Sequence, residues 1–216
     1  MGQSGVRWPA GASRDVLLYG NSYAAQWRET IAALLPKGVR LTTVTTTACD
    51  PVNTATHERN RSGASCAATA KLALAEAVRL KPSLVVFSMA VVRNAAMTRE
   101  MLKGLAAGGA KVLWIGVVPA APSFERCLGR HGQLAACNAT PTRAKLGAAF
   151  DLSFTDLAAS AGAGYVGLTD VYCRPSGCPA LVEGAPVRTD GSHLTYFGMR
   201  GAVPKLSAAI ALTVRR

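Results

Sequence analysis

Five short apolar stretches, each followed by a helical pattern, restrict this chain to an alternating α/β arrangement. They lie at 15–19, 39–47, 84–92, 111–118 and 164–169. Their residues are continuously apolar or β-branched, as in parallel strands covered on both faces. Helical patterns fill the gaps at 23–35, 66–80, 98–107 and 140–161, and another closes the chain at 196–214. The first holds Trp27 as a core residue and ends at Pro36 and Gly38. The second spaces Leu72, Leu74, Ala75 and Val78 for an amphipathic face and stops at Lys81-Pro82. In the fourth, Thr140-Pro141 puts a proline in the first turn, where its missing N–H costs least. Right-handed crossovers then place helices on both faces, giving a three-layer α/β sandwich around a five-stranded parallel sheet. With 216 residues, 50% of them hydrophobic, the chain can fill one core. Residues 1–13 are expected as a flexible lead-in and residues 14–216 as a single domain.

The first apolar stretch runs into Gly20-Asn21-Ser22, which delivers a serine to the turn between strand and helix. Backbone N–H groups there would stabilise an oxyanion formed above the serine. Near the other end, Arg188-Thr189-Asp190-Gly191-Ser192-His193 puts a carboxylate three residues ahead of a histidine. On one turn Asp190 can hold the His193 ring in the tautomer that accepts the Ser22 proton, as in a nucleophile, base and orienter triad. Glycine-x-serine alone is common, and so is a lone surface histidine. Their joint placement, after the first strand and before the last helix, is what carries the reading.

At these residues the chain resembles the SGNH (GDSL-like) hydrolases. Gly20-Asn21-Ser22 is similar to their first block, usually Gly-Asp-Ser, and Asp190-x-x-His193 to their last. The resemblance extends over nearly the whole chain. Thr47-Ala48-Cys49-Asp50-Pro51, the loop from Cys173 to Cys178 and Asp-Gly-Ser-His-Leu-Thr-x-x-Gly are similar to one branch. That branch is the SGNH domain fused behind membrane acyltransferase-three proteins, which O-acylate bacterial envelope glycans. The resemblance implies a flavodoxin-like SGNH fold and Ser22, Asp190 and His193 as catalytic residues. It makes Gly20, Asn21, Thr47, Ala48 and Asn94 candidates for oxyanion or substrate contact. The family's Gly-x-Asn block is missing after the third strand. Asn94 stands roughly in its place, with a helix cap as the equal alternative. Tyr23 replaces the histidine or leucine often found after the serine.

The resemblance also implies an acyl donor passed from a membrane acyltransferase domain to a glycan or glycolipid acceptor, with a short acyl group, acetyl first. An esterase or deacetylase, and a catalytically silent glycan-binding module, are the alternatives. No cofactor and no metal are expected.

The six cysteines fall into local couples, Cys49 with Cys66, Cys127 with Cys137, and Cys173 with Cys178. Six allow about 15 connectivities, and proximity alone selects this one. Zinc is the rival, but no Cys-x-x-Cys occurs and neither His57 nor His131 completes a familiar ligand spacing. Disulfides place the domain outside the cytosol. No stretch approaches the ~20 apolar residues of a membrane span, and the start lacks a signal core. The expectation is an extracytoplasmic soluble domain of a membrane protein, attached through a missing N-terminal part.

The formal net charge of +12 invites a nucleic-acid reading. Its basic residues are scattered without aromatic interleaving, so a solvated basic surface is preferred and no nucleic-acid partner is expected. Two polar excursions, at 48–65 and 119–138, leave strand C-terminal ends and are candidate walls of the site. His57, in the first, is a candidate for substrate contact, against the plainer reading of an exposed loop residue.

Overall fold

The structure, a computed structural model, describes residues 3–4, 14–54, 65–90, 92–131 and 134–215. Its elements begin with β1 (Gln3–Ser4), β2 (Arg14–Gly20), α1 (Ser22–Ala25), α2 (Arg28–Leu34) and β3 (Val39–Thr45). Then follow α3 (Cys66–Leu80), β4 (Leu84–Ser88), α4 (Ala95–Ala106), β5 (Lys111–Ile115), α5 (Phe124–His131) and a 3-10 turn at Leu134–Cys137. The last part holds α6 (Pro141–Ser160), β6 (Gly164–Val166), α7 (Thr169–Tyr172), the short pair β7 (Leu181–Val182) and β8 (Ala185–Pro186), and α8 (Tyr196–Arg215).

The expected five-stranded parallel sheet is present in the order β3-β2-β4-β5-β6. β1 adds to its outer edge, antiparallel to β3, with Gln3 opposite Thr45. Of the lead-in expected at 1–13, only Gln3 and Ser4 are described. The chain steps from β2 outward to β3, then returns to the other side of β2 as β4. This reversal opens a crevice at the C-terminal ends of β2 and β4, where open α/β sheets bind ligands. Gly20 and Ser88 are paired in register at that edge.

Alternate residues of each strand serve opposite faces, so the sheet carries two cores. Val16, Leu18, Val86 and Ile115 pack with Trp27, Ile31, Leu206 and Ile210. Leu17, Tyr19, Val85, Phe87 and Trp114 pack on the other face with Ala70, Ala73, Leu102 and Leu105. Burying each large side chain of this kind stabilises by about 1.5–3 kcal/mol before entropy is counted.

Several boundaries differ from expectation for local reasons. The segment expected as one helix at 23–35 breaks at Gln26 and Trp27 into α1 and α2, with Trp27 fully buried as the pivot. α3 buries Cys66, Ala67, Thr69, Ala70, Ala73 and Ala77, while Leu72 and Val78 are 40% and 55% exposed. Its inward face is therefore small rather than leucine-rich. Contact with α4 is correspondingly close: a Cβ on Gly104 would approach Leu74 Cδ2 to 2.7 Å. The third strand ends at Ser88, and α4 begins at Ala95 instead of 98. The excursion at 119–138 contains α5 and the 3-10 turn. Of the excursion at 48–65, residues 55–64, including His57, lie outside the described residues.

Candidate active site

β2 ends where it does because Gly20 has no side chain. Its φ is +146°, and a Cβ there would stand 2.0 Å from the Ser88 carbonyl oxygen. The turn that follows is held by Asn21, whose Oδ1 accepts from the Tyr23 N–H at 3.1 Å. The Asn21 carbonyl accepts from the Ala24 and Ala25 N–H groups at 3.0 Å each. Asn21 thereby takes the N–H groups of residues 23, 24 and 25, leaving the Ser22 N–H as the turn's donor. Of the backbone N–H groups expected to face an oxyanion above Ser22, those of the following helix are taken, because α1 is a single turn whose donors at 23–25 are spent on Asn21.

The Asp190 turn is built around Gly191, at φ +93°. A Cβ there would lie 2.3 Å from the Ala121 oxygen, and the Gly191 carbonyl accepts from the Ala121 N–H at 2.9 Å. The loop after β5 therefore supports this turn from below. Arg188 pairs with Leu194 across it, and the Leu194 N–H donates to Gln26 Oε1 at 2.9 Å. Arg188 itself is buried, which lowers its pKa to about 10 and leaves it charged at neutral pH.

These two supports bring three side chains into line. Ser22 Oγ stands 2.8 Å from His193 Nε2, and His193 Nδ1 stands 2.8 Å from Asp190 Oδ2. In this network Nδ1–H donates to the carboxylate, and Nε2 is free to accept the serine proton. Asp190 Oδ1 accepts from the backbone N–H groups of His193 at 2.9 Å and Ser192 at 3.0 Å, and from Ser192 Oγ at 3.1 Å. Partial desolvation pushes the Asp190 pKa up. Hydrogen bonds from the His193 backbone, the His193 ring and the Ser192 backbone outweigh it and hold the carboxyl well below the usual carboxylate range. Asp190 is thus an anion at neutral pH.

Beside the serine turn lies a cleft of about 220 Å³ lined by Asn21, Ala48, Cys49, Asp50, Pro51, Ala90 and Arg93. Asn21 Nδ2 donates to the Cys49 carbonyl at 3.3 Å, joining the nucleophile's turn to the far wall. The Cys49–Cys66 disulfide fixes that wall to the start of α3. Asp50 is engaged with the Val52 N–H at 3.2 Å, whereas Arg93 is exposed and forms no ion pair among the described residues. Ala48 holds a left-handed backbone at φ +53°; Thr47 before it is exposed.

Ser22, Asp190 and His193 are therefore together, with Gly20 and Asn21 in the same turn as Ser22 and Ala48 in the cleft beside Asn21. Asn94 adopts the second of its two readings: its Oδ1 caps α4 by accepting from the Met97 N–H at 3.0 Å. All three expected disulfides are formed. Among the described residues no group of three or more His, Cys, Asp or Glu is placed to hold a metal ion. Nor is any described helix long and apolar enough to cross a membrane.

Residues 4–208 match the family described as SGNH domain (fused to AT3 domains). The chain belongs to that family. Among solved structures, the SGNH chain is similar to the lipopolysaccharide acetyltransferase periplasmic domain of Salmonella ser. Paratyphi A, with a TM-score of 0.75 and 16% identity. The similarity covers 93% of this chain and 85% of that one. No curated protein sequence matches it.

Within this SGNH domain, the contacts that sequence reasoning missed come from Tyr23, Gln26, Ser192 and Arg93. Only Tyr23 carried a signal, its departure from the family's usual residue. The other three are polar residues in ordinary turns, distinguished by where the fold places them.

Proposed function

We propose that this SGNH domain is an extracytoplasmic O-acyltransferase that moves a short acyl group, acetyl first, through Ser22 to a cell-envelope glycan or glycolipid. The observation that carries this reading is the unbroken line from Ser22 Oγ through both His193 nitrogens to Asp190 Oδ2, each step 2.8 Å. Membership in a family fused to AT3 domains, and the fold shared with a lipopolysaccharide acetyltransferase domain, support the envelope setting. The donor is then passed on by a membrane acyltransferase domain, and the cleft beside Asn21 offers room for one substrate.

In the first half-reaction, Ser22 Oγ attacks the donor's acyl carbonyl while His193 Nε2 takes its proton. The tetrahedral oxyanion faces the Ser22 N–H. Collapse breaks the bond to the leaving group, which departs with the proton from His193, and an ester remains on Ser22. In the second half, His193 takes the proton of the acceptor hydroxyl as its oxygen attacks the ester. The Ser22 oxygen leaves and regains that proton. Asp190 stays anionic throughout and stabilises the imidazolium.

A second reading, hydrolysis, is favoured by the openness of the site. The side chains of His193 and Asp190 are 28% and 55% exposed, so water competes with any sugar hydroxyl unless a partner covers the site. The experiment is to supply an aryl acetate with and without a neutral oligosaccharide and follow acetate release and sugar mass together. The proposal expects acetylated sugar at the expense of free acetate. Acetate alone at every sugar concentration supports an esterase, and no turnover supports a silent glycan-binding module.

A further inference from the structure

Tyr23 follows the nucleophile directly, and its ring lies on the His193 imidazole. The centroids are 4.8 Å apart and the planes 27° from parallel. α1 is four residues long, so the turn that carries Ser22 also carries this ring. At the other end of the same turn Gln26 holds the backbone of Leu194. One helical turn thus grips the histidine segment from two sides while presenting the serine to it.

The two hydrogen bonds on the imidazole do not fix its orientation. One ends at Nδ1 on Asp190 and the other at Nε2 on Ser22. Both lie at the ring edge and act in the ring plane, so neither supports a ring face. A tilt of that plane swings the Nε2 lone pair away from the serine proton, and contact with a ring face opposes it. Tyr23 supplies that contact. It also presents an aromatic face to a ring that becomes cationic when it takes the serine proton, an interaction that favours the charged state. Among the described residues, the other groups facing the imidazole are the Asp190 carboxylate, the Ser22 hydroxyl and the Ser192 hydroxyl, the last 3.5 Å from Nδ1.

We propose that Tyr23 is a positioning residue for His193, acting through its ring and not its hydroxyl. This rests on the reading of Ser22, His193 and Asp190 as the acyl-transfer triad.

The test uses the full chain with Tyr23→Phe and Tyr23→Leu, aryl acetate turnover and proton NMR of the histidine ring. Tyr23→Phe is expected to keep kcat within about twofold of wild type, whereas Tyr23→Leu lowers kcat about five- to tenfold with KM little changed. Tyr23→Leu also removes the ring-current shift of the His193 ring protons, and Tyr23→Phe retains it. In the wild type itself, ring-to-ring Overhauser contacts between Tyr23 and His193 are expected, which tests the stack even where a variant fails to fold. Wild-type kcat in Tyr23→Leu, equal losses in both variants, or absence of those contacts overturns the role of Tyr23 alone. Absence of Ser22-dependent turnover in the wild type overturns the triad reading first, and this role with it.

Discussion

His193 Nε2 lies 2.8 Å from Ser22 Oγ although 171 positions separate the two residues in the chain. The sheet produces this meeting. Ser22 is delivered by β2, which lies between β3 and β4 at the point where strand order reverses. His193 arrives on the segment that returns to the same edge before α8. The pair depends on two small turns, one centred on Gly20 and Asn21 and the other on Gly191, both held by backbone contacts from neighbouring strands or loops. The predictions follow from that dependence.

Asp190→Asn is expected to lower kcat by roughly 10²- to 10⁴-fold while the fold survives, because the neutral amide no longer holds the correct tautomer or stabilises the imidazolium. Its stability effect has a definite sign. A carboxyl held below its ordinary pKa stabilises the fold above the unfolded value of about 4, and this contribution is lost as pH falls through the folded value. Denaturant unfolding should therefore show a wild-type advantage that is constant above about pH 5 and shrinks in acid, and its size stays below about 1 kcal/mol because the side chain is half exposed.

Gly20→Ala should destabilise the protein by about 2 kcal/mol or more, since its Cβ meets the Ser88 carbonyl and its backbone lies outside the range of L-residues. Thermal unfolding should drop by roughly 5 °C or more, with turnover lost below the melting point as well.

The cap residues separate two roles. Asn94→Ala removes only the α4 cap and is expected to cost about 1 kcal/mol with kcat within about twofold of wild type. Asn21→Ala removes both the α1 cap and the link to Cys49, so it should lower stability by a similar amount and turnover by tenfold or more, on the order of the loss from a 1 Å misplacement. Parallel melting and kinetic measurements on the two variants check this.

Removing the Cys49–Cys66 bond by paired serine substitution should cost roughly 3 kcal/mol, against roughly 2 kcal/mol for Cys173–Cys178, because the first closes 17 positions and the second 5. The first should also raise KM, since the Cys49 carbonyl anchors Asn21 and forms a wall of the cleft. Chemical denaturation and steady-state kinetics measure both.

The sheet was legible because its strands are buried on both faces, which forces continuous apolar runs such as Val16 to Tyr19. The meeting of Ser22, His193 and Asp190 was legible because Gly-x-Ser after the first strand and Asp-x-x-His before the last helix belong to the same sheet edge. Legibility ended where tertiary packing overrode pattern. In α3 a face of alanines, chosen for close approach, was hidden behind the more conspicuous Leu72 and Val78, which are exposed. The break at Gln26 and Trp27 left no local signal, since its causes are the burial of Trp27 and the reach of Gln26 to Leu194. Tyr23 was visible as a departure from the family, but its place on the imidazole depends on that break. Asn94 had two readings at the level of sequence, and its contact with the Met97 N–H is a property of the fold alone.

The most direct measurement is intact-mass detection of an acyl adduct during aryl acetate turnover by the wild type and Ser22→Ala. The account predicts one acetyl group on the wild type, mapped to Ser22, with adduct and turnover both absent in Ser22→Ala. Equal turnover by the two proteins, with no adduct on either, would contradict it.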